Sequence, residues 1–301
     1  MRGLLLLAVG FSLTACAPDI DAVPAAPATD LPLPPPPDSA LRVMSYNVRF
    51  ATPDDGADAW PYRREALAAV IEAHRPDLIG MQEPLEEQVD WLAGRLGGYG
   101  WVGRGRGTSP GAGEFSPVFY RTDRLRLLEE GTFWLSARPE QAGSRHWDAF
   151  YPRIATWARF ADRATGDTLV HLNTHFDHVG PFAKRRSADL VLDRLEDLAD
   201  GAPAVVTGDL NAHPGSAPYR ILTQSARRAL RDARLAAEQA RHGPEGTFTG
   251  FGAPPERAPR IDYVLVSRGV RVLRYAVLPD RPGGRAPSDH RPVVADLVLP
   301  D

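Results

Sequence analysis

The sequence predicts an α/β fold, and three observations predict it. Short apolar runs rich in β-branched residues stop abruptly at acids, amides or histidines. Amphipathic stretches of helical period separate several of them, and the middle of the chain carries short strands at regular spacing. The run that organises the rest is Val205-Val206-Thr207-Gly208-Asp209-Leu210-Asn211, which reads as a buried strand ending in Asp-x-Asn. Side chains alternate along a strand, so Asp209 and Asn211 emerge on one face at its carboxyl edge, where α/β sheets place their chemistry. Taken alone, the same ending also fits an Asx-turn. Four other stretches that end in acids, amides and histidines favour a site.

The 301 residues are 43% hydrophobic, enough for a full core in a single domain. A formal charge of −3, from 35 basic and 38 acidic residues, provides no field for gripping a polyanion non-specifically. Met1 to Ala15 has one arginine, an apolar run too short to span a bilayer and a small-residue end, the pattern of a signal peptide. Leu13-Thr14-Ala15-Cys16 resembles a bacterial lipobox, so the expectation is an exported lipoprotein anchored to a membrane through acylated Cys16. Cys16 is the single cysteine, so the fold has neither disulfides nor thiolate chemistry. Residues 16–40 hold eight prolines and read as a polyproline-type tether, roughly 60–70 Å long at about 3.1 Å per residue. The catalytic domain is then 41–301, and no protein partner is implied.

Within that domain, Leu41 to Phe50 alternates as a strand and puts Asn47 on the face of Val43 and Ser45. Trp60-Pro61 opens a helix with Leu67, Val70, Ile71 and His74 at helical spacing, His74 reading as a capping or surface residue. Asp77 to Gln82 is a second buried strand, tipped by Glu83, and Pro84 delays the next helix, Leu85 to Leu96. Trp101 to Glu114 is a glycine-rich loop without a P-loop ending, with Arg104 and Arg106 read as solvated. Short strands follow at Phe115 to Tyr120, Leu125 to Glu129, Thr132 to Leu135, Arg153 to Asp162 and Thr168 to Phe176. The last of these places His171, Asn173, His175 and Asp177 on one face. A helix with Ala188, Val191, Leu192 and Leu195 buried comes next. After the Asp209 strand, helices are expected from Ser216 to Gln224 and from Leu230 to Gln239. Strands over Arg260 to Ser267, Arg271 to Leu278 and Pro292 to Leu299 close the chain. Asp262 sits in an apolar run and His290 before another, a buried carboxylate and an imidazole able to pair.

Tyr46-Asn47-Val48, Gln82-Glu83, Asn173-Thr174-His175, Gly208-Asp209-Leu210-Asn211, Ile261-Asp262-Tyr263 and Ser288-Asp289-His290 occur in the order of a known family. From Arg42 to Leu299 the chain resembles the endonuclease/exonuclease/phosphatase superfamily, the DNase I-like fold. The resemblance implies a four-layer α/β/β/α sandwich and divalent-metal-dependent hydrolysis of a phosphate ester. It also implies roles: Glu83 with Asn47 and Asp289 holding Mg²⁺ or Mn²⁺, and Asp209 accepting the proton of the attacking water. Asn211 and His175 would meet the phosphate or leaving group, and His290 would act beside Asp262. Tyr120 and Arg153 are further candidates for phosphate contact. Arg49 stands where abasic-site endonucleases carry an acid; with Trp60, Arg63 and Trp134, the chain looks more like a deadenylase-like bacterial branch. The expectation is therefore a nuclease-like phosphodiesterase acting outside the cytoplasm, with a phosphatase or a sphingomyelinase-type lipid phosphodiesterase as alternatives. Two remoter readings are a zinc hydrolase, since Asn173 to His178 nearly spells the metallo-β-lactamase signature, and a non-catalytic lipid-anchored binding module.

Overall fold

The computed structural model describes residues 32–226, 229–252, 257–279, 281 and 284–300. The signal-peptide and Cys16 expectations lie outside them, as does the first part of the tether.

The chain runs β1 (Leu41–Asn47), α1 (Trp60–His74), β2 (Leu78–Gln82), α2 (Glu86–Arg95), β3 (Tyr99–Val102), β4 (Val118–Arg121), β5 (Leu125–Trp134), β6 (Ile154–Asp162) and β7 (Thr168–His175). It continues with α3 (Pro181–Ala199), β8 (Ala204–Asp209), α4 (Ala217–Gln224), β9 (Arg231–Asp232), α5 (Ala233–Ala236), β10 (Asp262–Val266), β11 (Arg271–Val277) and β12 (Val293–Val298). Two six-stranded sheets result, ordered β11-β12-β1-β2-β4-β3 and β5-β6-β7-β8-β10-β9.

Strand alternation accounts for the layers. Val43 of β1 and Val205 of β8 point between the sheets, where they join Leu78, Phe160, Val264 and Leu297. Their neighbours Met44 and Val206 point outward, Met44 onto Leu67 and Ile71 of α1 and Leu92 of α2, Val206 onto Val191 and Leu195 of α3 and Leu222 of α4. Both faces of the central strands are covered, so they read as nearly continuous apolar runs. The arrangement is the expected α/β/β/α sandwich in a single domain.

Two parallel pairs set the working edge. β1 and β2 end together, Asn47 opposite Gln82, and β7 and β8 end together, His175 opposite Asp209. Antiparallel β10 begins at the same edge, with Asp262 opposite Asp209. Just below, a polar seam crosses from sheet to sheet. Gln82 Nε2 and Thr207 Oγ1 donate to Asn173 Oδ1 at 2.7 and 2.9 Å, and Asn173 Nδ2 donates to the carbonyls of Met81 and Pro117. Thr207 spends its one proton on Asn173, so His171 Nε2, 2.7 Å away, is the donor to Thr207. Gly80 permits this approach: a Cβ there would lie 1.9 Å from Thr207 Oγ1.

Several elements differ from expectation. His171 and Asn173 belong to the seam, and of the four polar residues on the β7 face only His175 reaches the working edge. The two strands expected within 125–135 are one, β5, bulged between Leu127 and Glu129. The helix expected from Leu230 to Gln239 is a two-residue strand and one helical turn; tertiary pairing of Arg231 and Asp232 with β10 overrides local propensity. His74 is buried at the end of α1. The end of the tether is part of the folded body. Buried Arg42 grips Asp296 through two bonds and donates to the carbonyls of His74, Leu33 and Pro34, while Arg274 also reaches Pro34 and Asp296.

Burial pushes His171 down to about 3 from an ordinary 6.5. Between those values the unfolded chain binds a proton that the folded one refuses. The neutral ring's share of stability is thus whole above pH 6.5 and drains as pH falls toward 3. Urea unfolding of wild type should lose about 2 kcal/mol more between pH 7 and pH 5 than a His171→Gln variant; equal losses would show that this ring is protonated in the fold.

Candidate active site

The carboxyl ends of β1 and β2, the ends of β7 and β8, the start of β10 and the loop before β12 converge on one cleft. Asn47, the last residue of β1, presents its amide nitrogen to two carboxylates, donating to Glu83 Oε1 and Asp209 Oδ2 at 3.1 Å each. Its oxygen accepts from the backbone of Arg49 at 3.0 Å. As placed, Asn47 orients the two acids through its amide nitrogen, and its oxygen is shared with the Arg49 backbone. Glu83 sits at φ 74°, a left-handed conformation costly for this residue, where Pro84 stops β2 from running on; its second oxygen accepts from Phe50 N at 3.1 Å.

Asp209 is buried, and the Asx-turn weighed against function is present as well: Oδ1 accepts from Asn211 N at 2.8 Å. That turn holds Asn211 at φ 45° and leaves Asp209 Oδ2 facing the cleft. Lys184 of α3, the only lysine, donates to the Asn211 carbonyl at 3.1 Å and braces the turn. Burial first, then the neighbouring Asp262 charge, raises the Asp209 carboxyl above its usual range, against the pull of His290 and the Asn211 amide.

Two histidines flank Asp209 and differ in charge. His175 Nε2 lies 3.5 Å from Asp209 Oδ2, and Asn211 Nδ2 lies 2.9 Å from the same nitrogen. On the other side, Arg153 donates to Nδ1 at 2.8 Å. Both ring nitrogens therefore face donors, Arg153 at Nδ1 and the Asn211 amide nitrogen at Nε2, and a neutral ring can accept from only one of them. Burial and the Arg153 charge hold His175 well below its ordinary value, so the ring is neutral. His290 is the opposite case. Burial disfavours its charge, but Asp262 at 2.8 Å from Nδ1, with Asp209 and Asp289 nearby, outweighs burial and raises it well above 6.5. Protonated His290 thus aims Nε2–H at Asp209 Oδ2, 3.7 Å away. Its ring lies 4.9 Å from that of Phe248.

Asp289 is buried beside these groups; burial and Glu83 raise its carboxyl, opposed by His290, Arg49 and Arg63. Ser288 Oγ donates to the Asn47 carbonyl at 2.7 Å and joins the loop to β1. Arg63, wholly buried, ties the same parts together by donating to the carbonyls of Val48, Arg49, Asp58 and Pro287.

A divalent cation fits this donor set. Asp209, Asp262 and His290 have ligand atoms within 4.8 Å of one another and could hold a metal. His290 would first have to release its proton, however, so the hard-oxygen donors of this group are the carboxylates Asp209 and Asp262, with Glu83 tied to Asp209 through the Asn47 amide. Asp262 Oδ1 is buried with no hydrogen-bond partner, and Asp209 and Asp289 are raised by burial first and by neighbouring negative charge second. A cation would relieve both.

The structure therefore brings together Asn47, Glu83, His175, Asp209, Asn211, Asp262, Asp289 and His290. It moves Tyr120 out. Tyr120 pairs with Leu78 at the far end of β2, its ring 4.9 Å from Phe160, four residues and about 13 Å along the strand from Gln82. Arg153 stays, but it reaches His175, Glu114 and His178 from behind the cleft. Sequence reasoning missed Glu114, which pairs with Arg106 at 2.7 Å, and the bracing by Arg63 and Lys184. No local pattern marks such contacts: Lys184 and Asn211 are 27 residues apart, Arg63 and Pro287 224 apart, and the Arg106–Glu114 pair closes a loop of no regular period.

Comparison with known proteins agrees with this geometry. The profile of the Endonuclease/Exonuclease/phosphatase family matches residues 44–290. An endonuclease/exonuclease/phosphatase from Bacteroides vulgatus is 38% identical, with a TM-score of 0.83 over 86% of this chain and 99% of that one. A mannosyl-6-phosphatase from Bacteroides thetaiotaomicron is 36% identical, with a TM-score of 0.81 over 86% of this chain and 100% of that one. The Uncharacterized protein R895 of Acanthamoeba polyphaga mimivirus is 22% identical over 88% of this chain, which spans only 44% of that longer protein. Members of the family hydrolyse phosphate esters with divalent metals, and with the profile covering most of the chain and two related structures above 30% identity, this protein belongs to the Endonuclease/Exonuclease/phosphatase family.

Proposed function

We propose that the protein is a Mg²⁺- or Mn²⁺-dependent phosphatase that removes phosphate from small sugar monoesters outside the cytoplasm. The observation that carries this reading is the 36% identity, over the whole length of the other chain, to a mannosyl-6-phosphatase. The arginines near the cleft point the same way. Arg49 is paired with Asp55, Arg106 with Glu114, and Arg63 with four carbonyls, so they form no free row of cations to follow a nucleic-acid backbone. The nuclease-like phosphodiesterase expected from the sequence is the second reading.

Glu83 and Asp289 would hold the cation, which would offset negative charge on the phosphoryl oxygens. Asp209, with its raised carboxyl, accepts a proton from the attacking water as the new P–O bond forms. Charged His290 donates to a phosphoryl oxygen, and Asp262 keeps it charged and aimed. His175 and Asn211 would line the departing sugar oxygen as the old P–O bond breaks, and that oxygen takes its proton from solvent. Asn47 keeps Glu83 and Asp209 apart and in register.

Hexose 6-phosphate should be turned over faster than bis-p-nitrophenyl phosphate, nucleoside monophosphates or sphingomyelin, and the activity should vanish with chelator and return with Mg²⁺ or Mn²⁺. Asp209→Asn and His290→Ala should each lower kcat by roughly 10²–10⁴-fold with an unchanged circular dichroism spectrum. Diester turnover that exceeds monoester turnover would replace this reading with the second one.

Export rests on the first sixteen residues. In a bacterial host, metabolic labelling with palmitate should mark the full chain and not a Cys16→Ser variant; label in neither would remove the anchor from the account.

A further inference from the structure

Exposed aromatic rings cost solubility, so a rigid cluster of them beside a reactive cleft calls for an explanation. Phe150 and Tyr151 are 50% and 43% exposed, their rings 4.7 Å apart and nearly perpendicular. His178 stacks along Tyr151 at 5.9 Å, and the Arg106 guanidinium lies 4.6 Å over the Tyr151 ring. Buried Asp177 holds this corner rigid, one oxygen accepting from Phe150 N and Tyr151 N and the other from Val179 N and Gly180 N, at 2.7 to 3.2 Å. It is this bracing, and not a ligand role, that occupies the Asp177 seen on the β7 pattern.

The corner is two hydrogen bonds from the reacting centre. Arg153 donates to His178 Nδ1 at 3.3 Å with one nitrogen and to His175 Nδ1 with the other, and its Nε is buried with no partner. We propose that Phe150, Tyr151, Arg106 and His178 form the subsite that grips the pyranose ring of the substrate, which extends the sugar-phosphatase reading and rests on it. His175, placed beside the departing oxygen, is joined to the corner through Arg153, so the ring leaving with that oxygen is the part that reaches it. The Tyr151 ring already has His178 and Arg106 against it, which leaves no broad free face there for a nucleobase. What remains is one apolar face on Phe150 beside the Tyr151 phenol. A pyranose matches that mixture, with an apolar C–H face and hydroxyls around its edge.

The experiment compares wild type with Phe150→Ala, Tyr151→Ala and the double variant, on mannose 6-phosphate, glycerol 3-phosphate and a nucleoside 5′-monophosphate. Selectivity for mannose 6-phosphate over glycerol 3-phosphate, as a ratio of kcat/KM values, should fall about 10- to 100-fold in the double variant, mostly through KM. Thermal midpoints within a few degrees of wild type confirm folding. An unchanged ratio overturns the subsite, and a larger loss on the nucleoside monophosphate reassigns it to a base. Saturation-transfer NMR with mannose 6-phosphate in metal-free protein separates the two layers. Transfer from aromatic protons that disappears in the double variant upholds the subsite even if wild type fails to hydrolyse the sugar phosphate, which would sink the reaction alone; no transfer in wild type sinks the subsite.

Discussion

Negative charge withdrawn from water is the constraint on which the working edge depends. Asp209, Asp262 and Asp289 are buried and Glu83 half-buried around one cleft. Such a group is costly unless each acid is paired, hydrogen-bonded or neutralised. The protein meets part of that cost with charged His290 on Asp262, the amide nitrogen of Asn47 shared between Glu83 and Asp209, and backbone donors from Phe50 and Asn211. The remainder is a standing attraction for a cation or for a proton. Metal affinity and general-base character thus come from one cause, incomplete compensation of a buried carboxylate cluster.

The two histidines show how neighbours divide labour between like groups. Burial, with Arg153 behind it, keeps His175 neutral, while Asp262 behind His290 keeps that ring charged. The residue on each ring's far side helps to set its charge, and both rings face the same oxygen of Asp209. Acid and base roles in one cleft follow when environments push similar groups apart.

Much of this was legible in the sequence, and the physical reason is the strand period. Asp209, Glu83 and Asn47 stand at the ends of apolar runs, so their arrival at a sheet edge follows from alternation and from the break at Pro84. Asp262 and His290 could be paired because an isolated acid in a buried run needs a partner. The period says which face a residue takes but not how far along the strand the cleft lies, which is why Tyr120 was misplaced. It also cannot tell a seam from a site: His171, Asn173 and His175 share one face of β7, yet the first two bind the sheets together. Amide orientation is hidden as well. Asn47 was placed correctly beside Glu83, but whether it offers oxygen or nitrogen depends on the Arg49 backbone, which only the folded chain brings near.

The grip of Arg42 on the proline-rich segment has a mechanical consequence. β1 enters at that grip and leaves at Asn47, so the two lie at opposite ends of a seven-residue strand, about 20 Å apart. Tension arriving through the upstream chain is taken up by the Arg42–Asp296 pair and the Pro34 carbonyl before it can reach the hydrogen-bond ladder of β1. Whatever is fastened upstream therefore pulls on the base of the molecule, and the mouth on the far side keeps its shape under load.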